Sequence, residues 1–220
     1  MEGWERGLLA RLLGCFYMPT ATGWYSRGYL PHFDEPGLVQ SINYRLHDSV
    51  PHAVIDRWKL ELGLKGRTPA SDPRQGELRK RLEKYEDRGY GCCHLRRGDV
   101  ATVVQDNLLH FDGQRYLLLA WCVIPNHVHL LIETMLGYPV QEVVHSWKSF
   151  TATIINRMVG AHGTLWMVEY FDRYIRDQAH MESVIDYIEN NPVKAGLVAD
   201  AAAWRYSSAG MRAGSPRSQR

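Results

Sequence analysis

The alternation of apolar and polar positions becomes legible at Leu38. There Leu38, Ile42, Tyr44 and Leu46 alternate with Ser41, Asn43 and Arg45, as in a strand with one buried face, with Val39 and Gln40 as mismatches. Pro51 ends that strand. Residues 53–62 read as a short helix. Pro73 to Glu86, after the breaker cluster Gly66 to Pro73, reads as a charge-rich helix, and both look like an excursion from the core. Gly89 to Leu95 reads as a short strand, and Asp99 as the N-cap of a helix striped by Val100, Val103, Val104, Leu108 and Phe111. Tyr116 to Ile124 is a continuous apolar run, expected of a strand covered on both faces. Pro125-Asn126 makes a turn, and His127 to Glu133 returns as a second strand. Pro139 opens a long helix with Val140, Val143, Val144, Trp147, Ile154, Ile155 and Met158 at helical spacing. Glu169 to Ile175 reads as a strand, and Asp177 as the cap of a final helix striped by Met181, Val184, Ile185 and Ile188, closed by Pro192.

With residues 53–97 set aside as an insertion, the order is β-α-β-β-α-β followed by one more helix. This is an α+β chain with a ferredoxin-like antiparallel sheet, an inserted helical segment and a C-terminal helix that carries Tyr187. Three parts are expected: an N-terminal arm at 1–30, a domain at 31–207 holding the 53–97 insertion, and a basic flexible tail at 208–220.

Composition narrows the function classes mainly by exclusion. An apolar share of 45% supports a proper core, and 26 Lys+Arg against 24 Asp+Glu leave a formal charge of +2, far from a histone-like binder. Any polyanion must therefore be held by locally concentrated cations. No apolar run reaches the roughly 18 residues of a spanning helix, and Leu8 to Phe16, interrupted by Arg11, reads neither as a leader nor as an anchor. Cys15, Cys92, Cys93 and Cys122 show no CxxC spacing. The expectation is a soluble cytoplasmic protein, with no membrane partner and thiols kept reduced. Cys92-Cys93-His94 reads as strand residues rather than a metal site.

The candidate chemistry starts at His127-Val128-His129. A period of two puts both imidazoles on one sheet face and Val128 on the other, so two ring nitrogens can converge on one metal ion, although paired histidines also occur in ordinary strands. Tyr187 and Asn191, at i and i+4 in the last turn of the terminal helix, share one side. On the residues alone, they could equally be a packed tyrosine and a helix stop.

Trp121-Cys-Val-Ile-Pro-Asn-His-Val-His-Leu-Leu-Ile-Glu133 and Tyr187-Ile-Glu-Asn-Asn-Pro-Val-Lys-Ala-Gly-Leu197 together resemble the two signature blocks of the single-tyrosine HUH transposases, where HUH means His, hydrophobe, His. Arg27-Gly-Tyr-Leu-Pro-His-Phe33, Trp147-Lys-Ser-Phe150 and Glu169-Tyr-Phe-Asp-Arg173 narrow the resemblance to the REP-associated tyrosine transposase branch, over about Arg27 to Leu197. The resemblance implies a ferredoxin-like nuclease that cuts one DNA strand at hairpin sites formed by repetitive extragenic palindromes. It implies His127, His129 and Asn191 as metal ligands, Tyr187 as nucleophile and Mg²⁺ or Mn²⁺ as cofactor, in a monomeric, nucleoid-associated enzyme, with a dimer as the variant arrangement. A hairpin DNA or RNA binding protein of the same fold without chemistry is the alternative.

The chemistry follows from the residue types. A phenol with a pKa near 10 is a poor nucleophile and a phosphodiester repels anions, so a cation on the scissile phosphate is needed. Two imidazoles and an amide suit Mn²⁺ at least as well as Mg²⁺, and three protein ligands leave room for phosphate and water. Glu133 and Asp172 are further candidates for supporting or base roles. For DNA, Arg27, Lys148, Arg173 and Lys194 are the candidate phosphate contacts. Arg79 to Arg81, among Glu77, Glu83 and Glu86, read as a solvated helix face, and Trp24, Tyr25 and Tyr29 are possible base-stacking groups.

Overall fold

The computed structural model describes residues 23–26, 31–34, 37–64, 68 and 72–214, with the backbone alone for 23–26, 31–34 and 213–214. Its elements are β1 (Gly23–Ser26), β2 (Pro31–Asp34), β3 (Val39–Arg45), α1 (His52–Glu61), α2 (Pro73–Glu86), α3 (Gly98–His110), β4 (Tyr116–Ile124), β5 (His127–Thr134), α4 (Val140–Val159), β6 (Phe171–Tyr174), α5 (Gln178–Glu189), α6 (Asn191–Lys194) and α7 (Ser208–Gly214).

Strands β4, β5, β3 and β6 lie in that order in one sheet, every neighbouring pair antiparallel. Counted without the insertion, β3-α3-β4-β5-α4-β6 is the split β-α-β order expected of a ferredoxin-like sheet. The two faces are covered differently. Ile42, Tyr44, Leu46, Val128, Leu130 and Ile132 face α3 and α4, where Val104, Leu108, Val143 and Trp147 close the main core. Val39, Ala120, Cys122, Ile124 and Leu131 face α5 through Met181 and Ile188. Val39 and Gln40, mismatches to a one-faced strand, are both buried because β3 is central and covered on both sides.

Several expectations change. Gly89 to Leu95 forms no strand: Gly89, Gly91 and Cys93 have φ of 68°, 91° and 49°, left-handed backbone incompatible with a strand, and a 3₁₀ turn follows at His94–Arg96. Asp99 is not an N-cap. The helix starts at Gly98 with Arg97 in the cap position, and the Asp99 carboxylate accepts from Val100 N at 3.0 Å and from the Arg97 guanidinium. Pro192 does not close the terminal helix. That helix ends at Glu189, and Pro192 is the second residue of α6, where its missing N–H costs nothing. Asn191 therefore opens a new helical turn rather than ending the old one. The chain after Ser207 is helical to Gly214, with Ser208 buried, where a mobile segment was expected. Finally, β1 and β2 pair antiparallel within a stretch that shows no periodicity. Arg27 and Tyr29 lie outside the described residues, and for Trp24 and Tyr25 only the backbone is described.

The excursion at 52–97 is no bystander. Leu78 and Leu82 of α2 bury with Val50 and Ile55 of the α1 region, and Phe171 of β6 packs against them. That apolar seam lays the C-terminal end of α2 against the same sheet face that carries the histidines.

Candidate metal centre and nucleophile

The register of β5 sets the site. His127 lies opposite Arg45 and Ile124, and His129 opposite Asn43 and Cys122, so both rings stand on the α5 face while Val128 enters the main core. Both are buried, and their Nε2 atoms are 2.8 Å apart. Burial and mutual proximity push His127 far below the usual imidazole range, and burial together with the Lys194 ammonium holds His129 at about 3. Both rings are therefore neutral near pH 7, the form that offers a lone pair to a cation.

Asn191 and Tyr187 reach this spot from the junction of α5 and α6. The Asn191 amide contacts His129 Nε2 at 3.1 Å, and the half-buried Tyr187 ring stands edge-on to His129 with centroids 5.4 Å apart. The break at Asn190 keeps the two side chains convergent although they belong to different helices. Lys194 is exposed, with Nζ 4.3 Å from the Tyr187 ring centroid.

Asp87, which the sequence reading did not single out, completes the cluster. It is the residue following α2, its Oδ1 is 3.7 Å from His127 Nε2, and ligand atoms of Asp87, His127 and His129 all lie within 4.8 Å of one another. Because His127 is neutral, that contact is not an ion pair. The donor set fits a divalent cation. Ligands of one such ion sit about 3 to 4 Å apart; the imidazoles are neutral; and Asp87 Oδ1 and Asn191 Oδ1 are buried without a hydrogen-bond partner. A half-turn of the Asn191 amide exchanges its nitrogen and oxygen, which would aim the orphaned oxygen where the nitrogen now meets His129.

Carboxylates at and just after the C-terminal end of α2 act on Tyr187. Glu86 is tied to Arg45 Nε at 3.1 Å and accepts from Asn43 Nδ2 at 3.1 Å, yet burial raises its carboxyl to about 7. Burial also raises Glu83 and Asp87, opposed chiefly by Arg79 and by Lys194 respectively. Tyr187 is pushed well above the usual phenol range, first by burial and then by the charges of Glu83, Asp87 and Glu86. The signal for this missed group was present in the sequence: Leu78 and Leu82 form an apolar edge on a charged helix, which must bury somewhere, and Glu86-Asp87 follow at its end.

The remaining candidates divide. Arg173 is exposed on β6 opposite Ser41, on the histidine side of the sheet, and its charge is felt by Arg79 and Glu83. Arg79 is not part of a solvated face: its guanidinium stacks on Phe171 at 4.0 Å and its Nε is buried without a partner. Lys80 is exposed, and the half-buried Arg81 pairs with Glu61 and Glu77. Lys148 is on α4, across the sheet from the site, where Nζ donates to the carbonyls of Met167 and Val168 at 2.9 and 3.1 Å; burial lowers its ammonium to about 7. Asp172 lies opposite Ile42, at the alternate position from the histidine face, and Glu133 is four residues beyond His129, about 13 Å along the strand. Neither is brought to the cluster. Cys92 is exposed and its amide donates to Asp48, outside any metal-binding group found among the described residues.

Residues 102–191 match the family described as "Transposase IS200 like", a span that contains His127, His129, Tyr187 and Asn191. Over 101 residues the chain is 30% identical to a Haemophilus influenzae protein provisionally named a REP-associated tyrosine transposase; the match covers 41% of this chain and 57% of that relative. The chain thus spans little more than half the length of the curated relative. Two solved structures are also similar. One, described as a REP-associated tyrosine transposase bound to a REP hairpin, shows a TM-score of 0.47 at 15% identity over 85% of this chain and 82% of that one. The other, a Deinococcus radiodurans protein provisionally described as a transposase, shows 0.30 at 18% identity over 76% and 96%. The resemblance carried by the two sequence blocks is thus matched by the family comparison. No helix among the described residues is long and apolar enough to cross a membrane.

Proposed function

We propose that this chain is a REP-associated tyrosine transposase: a metal-dependent endonuclease and strand transferase that acts on single-stranded or hairpin DNA of REP type through Tyr187. One observation carries the reading. Two neutral imidazoles and an amide, all from a segment that matches a transposase family, meet the partly buried carboxylate of Asp87 directly beside a tyrosine ring.

His127, His129, Asn191 and Asp87 would hold the divalent cation, Mg²⁺ or Mn²⁺. Bound there, it would supply positive charge to the scissile phosphate and offset the acidic surroundings of the phenol. The rest falls to the side chains. The Tyr187 oxygen attacks phosphorus, the bond from phosphorus to the departing 3′-oxygen breaks, and the products are a 5′-phosphotyrosine and a free 3′-OH. The phenolic proton leaves toward the α2 carboxylates, of which Glu83 exerts the strongest field on it, and one proton is returned through solvent to the departing 3′-oxygen, so that the cleavage releases none. Because the new ester keeps an activated phosphate, a 3′-OH can attack it in turn, restoring the tyrosine and joining strands without a nucleotide cofactor. Arg173, exposed on the histidine side of the sheet, and Lys194, exposed beside Tyr187, would hold the flanking phosphates. Contacts between His129, Tyr187 and Asn191 within one chain support a monomer as the active unit.

A second reading, hairpin binding without chemistry, is favoured by the burial, and after it the neighbouring carboxylates, that hold the Tyr187 phenol protonated. One experiment separates the two. A labelled REP-type hairpin is incubated with Mn²⁺, and SDS-resistant protein–DNA adduct is measured for the natural protein and for Tyr187→Phe. Adduct with the natural protein and none with the variant, which still binds the hairpin, is the expected result. Adduct with Tyr187→Phe, or cutting that persists in chelator, would sink the mechanism.

A further inference from the structure

The Pro125-Asn126 turn between β4 and β5 has a density of contacts that turn-making alone does not require. Asn126 is buried, and its Nδ2 donates to two carbonyls of the inserted segment, Glu86 O at 3.0 Å and Tyr90 O at 3.1 Å. Its Oδ1 lies 2.8 Å from His127 Nδ1. The main chain is held as well: Leu46 N donates to Asn126 O at 2.8 Å, and Leu95 N to Pro125 O at 3.1 Å. The α2 end that supplies the Glu86 carbonyl is itself anchored to β3 by Arg45 and Asn43.

We propose that Asn126 is a positioning residue: held by the Glu86 and Tyr90 carbonyls, it locks His127 in the Nδ1–H tautomer and so turns the bare Nε2 toward His129 and Asp87. The argument is a count of donors and acceptors. Carbonyl oxygens only accept, so the amide must present Nδ2 to both of them, and that leaves Oδ1 facing the ring. An oxygen there requires a proton on Nδ1. Reversing the tautomer would set a lone pair against Oδ1 at 2.8 Å; reversing the amide as well would set Oδ1 against two carbonyl oxygens. Either arrangement replaces hydrogen bonds with repulsive contacts in a site closed to water, where an unpaired polar group is costly. Asp lacks the donors, and Ser or Thr lacks the second one. The inserted helical segment thereby does two things at once, delivering Asp87 to the cluster and dictating which nitrogen of His127 is free.

This inference rests on His127 as a metal ligand, but its test does not depend on DNA cleavage. The full-length protein is labelled with ¹⁵N-histidine and studied by NMR in chelator at neutral pH, followed by Mn²⁺ titration of the natural protein and of Asn126→Ala. The expected spectrum has Nδ1 of His127 protonated and Nε2 bare. In Asn126→Ala, a mixture of tautomers and a 10- to 100-fold weaker Mn²⁺ affinity are expected, the usual size of losing a ligand's hydrogen-bonded support. Nε2–H in the natural protein overturns the proposal without any variant, which guards against a variant that fails to fold. Unchanged tautomer and unchanged affinity in Asn126→Ala overturn it too. A protein with the Nδ1–H ring that binds Mn²⁺ but cuts no hairpin would refute the proposed reaction and leave this assignment standing.

Discussion

Acid should unfold this protein partly through His129, and the size of the effect can be worked from its burial. In the unfolded chain the ring has its ordinary value of 6.5; in the folded protein, burial and Lys194 hold it at about 3. Below 6.5 the unfolded chain binds a proton that the folded one refuses. The contribution is thus fully present above pH 6.5, and is lost as pH falls from there toward 3. Integrated from pH 7 to pH 5, the loss is about 2 kcal/mol. His127 acts in the same direction. Glu86 acts in the opposite one: its folded value of about 7 stands above the ordinary 4.5, so this buried carboxyl favours the folded state increasingly as pH drops from 7 to 4.5 and offsets about as much. The wild-type curve alone would therefore mislead. The informative comparison is with His129→Gln, which keeps a neutral polar side chain but cannot titrate. Urea unfolding at pH 7 and pH 5 in chelator should show a pH-dependent loss smaller by about 2 kcal/mol in the variant. Identical losses in the two proteins would refute the claim that His129 is held neutral by the fold.

Asp87→Asn should weaken Mn²⁺ binding on the order of tenfold, about 1.4 kcal/mol, in isothermal titration; an unaltered affinity would remove Asp87 from the donor set. Lys148→Met should leave hairpin affinity unchanged in a gel-shift assay while costing about 1 to 3 kcal/mol in urea unfolding, because the carbonyls of Met167 and Val168 lose their donor. A loss of DNA affinity would restore Lys148 as a phosphate contact. Trp147→Ala should cost about 3 to 5 kcal/mol, since the ring is 1% exposed and its Nε1 donates to Tyr116 Oη, which in turn donates to Leu108 O. Thermal melts would show whether that core is as tightly coupled as its packing implies.

The amino-acid order determined the elements whose periodicity is enforced by burial. A strand covered on both faces must be apolar throughout, so Tyr116 to Ile124 has the bounds that its residues indicate. A helix lying on a sheet must carry a stripe, which is why α4 and α5 are legible from Val140 and from Asp177. The period of two likewise put His127 and His129 on one face before any coordinates. What the sequence could not disclose is long-range. Gly89 to Leu95 looks extended in composition, but left-handed backbone angles imposed by its packing against Asp48 and the β4–β5 turn exclude a strand. Asp87 is forty residues from His127, and nothing in local spacing says that the end of a charged, seemingly peripheral helix returns to the sheet. Only closure of the seam between Leu78, Leu82 and Phe171 places it there. Packing of α4 on the opposite face carries Lys148 away from the site, and the end of α2 makes Asn126 more than a turn former. Local patterns report which surfaces must leave water; where those surfaces meet depends on packing between segments remote in the chain, and the candidate site is made at that meeting.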